Sequence, residues 1–90
     1  MIEPTVGRVL WYYPAARDNI IQNNPEPLAA IVVHVHSDIC VNLTVFDANG
    51  LTQNRVSVTL VQPGEITPDT SYCTWMPFQV AQAAKQGVLA

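Results

Sequence analysis

Charge is scarce in this chain: only 12% of its 90 residues are Asp, Glu, Lys or Arg, against roughly a quarter in typical soluble domains. A subunit with so few charges has little to keep its surface wet, so a homo-oligomer is expected. There are four cations, Arg8, Arg17, Arg55 and Lys85, and the net charge is −3. Affinity for duplex nucleic acid comes from many Lys and Arg side chains neutralising phosphates, so nucleic-acid binding is disfavoured. A small anion is a different matter, because a few symmetry-related arginines and backbone N–H groups suffice to hold one.

Other absences narrow the field further. No apolar run approaches the roughly 18 residues of a membrane-spanning helix, and the opening MIEPTVGRVL lacks the basic-then-apolar order of a signal peptide. A cytoplasmic chain without a membrane partner is expected. The glycines Gly7, Gly50, Gly64 and Gly87 are scattered and form no phosphate-binding loop. Cys40 and Cys73 make no metal framework and should be reduced thiols. No cofactor is implied.

What is present is β-strand. Leu28 to Asp47, LAAIVVHVHSDICVNLTVFD, reads as two strands with alternating faces. On the first, Ile31, Val33 and Val35 form the packed side, while Val32, His34 and His36 lie opposite. On the second, Val41, Leu43 and Val45 oppose Cys40, Asn42, Thr44 and Phe46. Matching the apolar faces calls for an odd loop over Ser37 to Ile39, pairing Val35 with Val41, Val33 with Leu43 and Ile31 with Val45. That register sets His36 beside Cys40 and His34 beside Asn42.

Val6 to Tyr13 predicts a first strand, stopped by Pro14, with Val9, Trp11 and Tyr13 on one face and Arg8, Leu10 and Tyr12 on the other. Ala15 to Gln22 predicts a short helical turn running into a loop through Asn23-Asn24-Pro25. Asp47-Ala48-Asn49-Gly50 is a turn signal, followed by a strand over Arg55 to Val61 with Val56, Val58 and Leu60 on one side. Ser71 to Met76 is extended, and Pro77 starts a brief helix. The expected fold is mostly β: one small SH3-like or Tudor-like five-stranded antiparallel barrel, with short helical turns in the first loop and at the C-terminus. The alternative at this spacing is an open meander whose edges pair across an oligomer.

Candidate chemistry is sparse. His34 and His36 lie on one face about 7 Å apart along a strand, but without a CxxC or HExxH companion no metal site is expected. Cys40 with His36 lacks an oriented base and an oxyanion site, so catalysis is not expected either. Trp11, Tyr12, Tyr13, Tyr72, Trp75 and Phe78 form two aromatic clusters that would meet if the first and last strands are neighbours, and flat rings facing solvent stack on bases. Trp11 and Trp75 taken individually read first as core residues, whereas Tyr12 points away from Trp11 and is the better stacking candidate. Arg17 with Asp18 and Glu26 reads as an ordinary solvated loop.

GRVLWYYP, then PLAAIVVHVHSDICVNLTVFDANG, SVTLVQPGE and YCTWMPFQVAQAAK, resemble a family of small tailed-bacteriophage and prophage proteins with the pattern PLAAIV-x-V-x-SD-x-CVNL-x-VFD-x-NG and a late WMP-x-Q. The similarity covers nearly the whole chain. Relatives often carry Trp where this chain has His36, which weakens stacking at that position. The resemblance implies a host-cytoplasmic, non-enzymatic phage protein. By analogy with phage sponges that capture the nucleotide signals of CBASS and Thoeris immunity, it implies an oligomer that sequesters a small anionic nucleotide. In that reading Tyr12, Tyr13 or Trp75 stack on bases, Asn42, Thr44, His34 and His36 read base edges, and Arg8 or Arg55 face phosphate. The competing class is a structural or protein-interaction module, such as a virion accessory protein or a host-factor adaptor.

Overall fold

The structure, a computed structural model, describes residues 1–22 and 26–86. Asn23-Asn24-Pro25 and the end of the chain from Gly87, for which a loop and fraying are expected, lie outside the described residues. Five strands, β1 (Val9–Tyr13), β2 (Leu28–Ser37), β3 (Cys40–Phe46), β4 (Thr52–Val61) and β5 (Tyr72–Thr74), close into a barrel and are followed by helix α1 (Pro77–Lys85). This is the small SH3-like barrel expected, and closure of β1 on β5 rules out the open meander. One seam departs from the expectation. β4 and β5 run parallel while the other pairs are antiparallel.

The strands form where β-branched and aromatic residues concentrate, and the connections follow local chemistry. The β3–β4 turn is held by Asp47, whose Oδ1 accepts the N–H groups of Asn49 and Leu51 at 2.9 and 3.0 Å. Gly50 takes the positive φ of 86° that the turn needs. In the first loop, a single turn closed by Asp18 N–H on the Ala15 carbonyl replaces the expected helix through Gln22. Strand β1 starts at Val9 rather than Val6, because Val6 and Gly7 form a turn. At the C-terminus, Pro77 begins α1 without loss of a hydrogen bond, and the Gln79 amide accepts the Met76 N–H and donates to the Val9 carbonyl, both at 2.7 Å.

The core is Leu10, Tyr12, Val32, Val41, Leu43, Val45, Leu60 and Cys73, joined by Trp75 and by Ala83 of α1. β3 alternates as expected. β2 does not. Its inward residues are Leu28, Ala30 and Val32, then Val35, while Val33 is exposed. The register gives the reason: Val32 pairs with Leu43, His34 with Asn42, Val35 with Val41 and Ser37 with Cys40. Val33 and His36 are therefore supernumerary residues at two β-bulges. The expected pairs Val35–Val41 and His34–Asn42 hold between the bulges, whereas Val33–Leu43 and Ile31–Val45 are replaced by Val32–Leu43 and Ala30–Val45. His36 likewise moves away from the position opposite Cys40. A third bulge lies in β4, where Val56 and Ser57 face the single residue Asn42. Ser57 takes a φ of 52°, and Val56 turns outward instead of joining Val58 and Leu60 inside.

Burial pulls two expected contact residues inward. Tyr12 is 1% exposed and Trp75 3%, so neither ring can stack on a ligand. Tyr12 shares the inward face with Leu10, and that face is the core side of β1.

Gln62 is the buried polar residue that fastens the N-terminus. Its Oε1 accepts the Ile2 N–H at 2.9 Å, and its Nε2 donates to the carbonyls of Ile2 and Asp38 at 2.9 and 2.8 Å. One side chain thus binds the N-terminal segment and the β2–β3 turn to the end of β4. Gln62→Ala strands these groups, two of them in buried bonds, and is expected to cost about 2 kcal/mol. A urea midpoint lowered at unchanged slope, with faster exchange of the Ile2 amide, checks this.

Candidate functional site

The described surface has two polar regions of interest. The first lies where the first loop packs over the outer wall of β4 and the approach to β5, enclosing a depression of about 390 Å³. Its floor is an ion pair. Arg55 on β4 reaches Asp18 in the loop through Nη2 to Oδ1 at 2.7 Å and Nε to Oδ2 at 3.1 Å, a two-pronged contact of the strong kind. Tyr12 donates its hydroxyl to Asp18 Oδ2 at 2.5 Å, and Asp18 Oδ1 also accepts the Ile20 N–H. The Arg55 guanidinium, aided by these donors, holds the Asp18 carboxyl down at about 2 despite its partial burial. The carboxylate in turn raises Arg55, while burial and the neighbouring carboxylate raise Tyr12.

These bonds reassign several residues. Arg55 also donates to the Asn54 carbonyl and the Gln53 amide, so most of its N–H groups are engaged within the fold. Asp18 is its counterion, not part of a solvated loop. Tyr12 offers the depression only its hydroxyl edge. Arg17, Ser57, Thr59 and Thr70 complete the lining as exposed side chains. Arg17 makes no ion pair among the described residues.

Tyr13 and Tyr72 stand next to this depression. They are ladder partners on β1 and β5, and their rings stack with centroids 5.0 Å apart at 14°. Tyr72 follows Ser71 in sequence and pairs with Thr59 on β4, and both of these residues line the depression. The meeting of the two aromatic clusters is thus realised by Tyr13 and Tyr72. Tyr72 is marked in sequence only by its membership of the second cluster.

The second region is the outer face of β2 and β3 at the bulges. His34 and His36 are exposed with ring centroids 4.6 Å apart, edge to face. His36 Nε2 lies 2.9 Å from Asn42 Oδ1, which also accepts the Ser57 N–H at 2.8 Å. Asn42 therefore satisfies the bulge in β4 as well as orienting His36. Thr44 sits two residues further along the same face of β3 as Asn42, opposite Ile31 and Asn54. Arg8 lies apart, with its guanidinium carbon 5.9 Å from the centre of the Trp75 ring, a cation–π contact over the core.

The thiols are separated by environment. Cys73 is buried and its thiol is pushed up to about 12 by desolvation, which keeps it protonated and unreactive. Cys40 faces Ser37 across the hairpin rather than His36.

No family model matches the chain, and no curated protein or solved structure is significantly similar to it. Among the described residues, no helix is long and apolar enough to cross a membrane.

Proposed function

We propose that this chain is a phage-encoded, non-enzymatic binding protein that assembles as a homo-oligomer in the host cytoplasm. Its ligand in this reading is a small anionic nucleotide of the cyclic-oligonucleotide immune-signal class, which it sequesters. The observation that carries this reading is the stacked Tyr13–Tyr72 pair beside a hydroxyl-lined depression in which Arg17 is, among the described residues, the cation without a carboxylate partner. A volume of about 390 Å³ is within the range of small-molecule sites. Tyrosine faces suit bases, hydroxyls suit ribose and base edges, and an unpaired guanidinium suits phosphate. Sequestration acts by mass action, so tight binding and abundance take the place of turnover.

Melting with a panel of cyclic dinucleotides, cyclic trinucleotides and cyclic ADP-ribose isomers tests it. A member present at about 100 times its dissociation constant adds about 2.7 kcal/mol, a rise of several degrees for a domain this small. Arg17→Ala should abolish the rise and leave the unliganded midpoint nearly unchanged, whereas Tyr72→Ala should abolish the rise and also lower that midpoint by removing the stack on Tyr13. Absence of any rise overturns the proposal and favours the second reading, a protein-interaction module. That reading has its own support in Ile66, 95% exposed on the loop after β4, which lines a groove of about 460 Å³ together with Ile39.

A further inference from the structure

The two imidazoles on β2 are not needed for nucleotide capture in the depression, and their geometry suits a different ligand. On a regular strand, residues two apart stand about 7 Å from each other. His36 is here the extra residue at a bulge, and the rings of His34 and His36 stand with centroids 4.6 Å apart. Imidazole nitrogens bind late first-row cations at about 2.0–2.1 Å. Two such ligands at a right angle on one ion therefore have ring centres about 4.5 Å apart, and about 5 Å at a tetrahedral angle. The observed separation matches this, and a rotation of one exposed ring turns the edge-to-face pair into a convergent one.

The protonation pattern fits as well. The Ser57 backbone N–H can only donate, so the Asn42 side-chain atom 2.8 Å from it is the carbonyl oxygen. That oxygen must accept from His36 too, which places the proton on Nε2 and leaves the Nδ1 lone pair free in the neutral ring. A metal-binding histidine is commonly oriented in this way, its second nitrogen donating to a fixed acceptor.

We propose that His34 and His36 form a two-nitrogen clamp for a divalent late first-row cation, with Asn42 as positioning residue. Among the described residues no group of three or more His, Cys, Asp or Glu side chains could hold a metal, so water supplies the remaining ligands. Affinity should follow the general order for nitrogen sites, Cu²⁺ above Ni²⁺ and Zn²⁺.

The test is calorimetric titration of the untagged full chain with NiCl₂ in a non-coordinating buffer, Ni²⁺ avoiding the redox reaction of Cu²⁺ with the Cys40 thiol. One ion per chain is expected. His34→Ala and His36→Ala should each weaken binding at least about tenfold, because the second arm of a chelate binds at high effective concentration. Asn42→Ala should weaken it about tenfold, and Asn42→Asp, which keeps an acceptor oxygen, should restore it. Circular dichroism checks that the variants fold, Asn42 being half-buried and bonded to the Ser57 N–H. With diamagnetic Zn²⁺, nitrogen NMR should shift His36 Nδ1 and not Nε2. No uptake at millimolar Ni²⁺, or equal uptake by the wild type and both single-histidine variants, overturns the clamp.

Discussion

Asp18→Asn is expected to lower the unfolding free energy by about 2–3 kcal/mol at neutral pH and to flatten the acid limb of the stability profile. The carboxylate accepts from Arg55 Nε and Nη2, the Tyr12 hydroxyl and the Ile20 N–H. An amide has one acceptor oxygen, and its NH₂ meets donors. Breaking a buried pair costs about 3–5 kcal/mol because a charge is left behind. Here the Arg55 side chain keeps 22% of its surface in water, so the lower figure applies.

The pH dependence follows from the same contacts. Asp18 titrates at about 2 in the folded barrel against 3.8 ordinarily, so as pH falls the unfolded chain takes up the proton first. The contribution is complete above the ordinary value, declines as pH falls through the window between the two, and is lost below about 2. It amounts to about 2 kcal/mol. Urea unfolding at pH 7, 4 and 2 should show this loss in the wild type and not in the Asn variant. The same acid limb in both proteins would refute the assignment.

Much of the barrel was legible because it rests on local pattern. Val41, Leu43 and Val45 alternate without interruption, and the Asp47–Gly50 turn carries its own chemistry. The candidate site was less legible because its bonds are long-range. Asp18 and Arg55 lie 37 residues apart, and a lone arginine on a strand reads as free until its partner is known. Gln62 reaches Ile2 across 60 residues, with nothing in its own neighbourhood to distinguish it from a surface glutamine. Tyr12 shows the opposite error: its place on the face opposite Trp11 was read correctly, but that face is the inner one.

Alternation alone misplaces the inner face of β2, for a reason that mutation can expose. Uninterrupted alternation puts Val33 inside and Val32 outside, whereas the bulge leaves Val32 at 0% exposure and Val33 at 48%. Neither bulge in β2 is marked by glycine, and all the residues around Val33 are good strand formers, so periodicity carried straight through it. Val32→Asp is therefore expected to prevent folding, since an unpaired carboxylate among Leu10, Leu43 and the other core side chains costs more than about 4 kcal/mol. Val33→Asp should change stability by no more than about 0.5 kcal/mol. Amide spectra and urea unfolding of the two variants decide the matter. The reverse result, Val33→Asp unfolded and Val32→Asp native, would require an unbulged strand. Ile31 and Val33 would then return to the core, in the unbulged register that pairs Val33 with Leu43 and Ile31 with Val45.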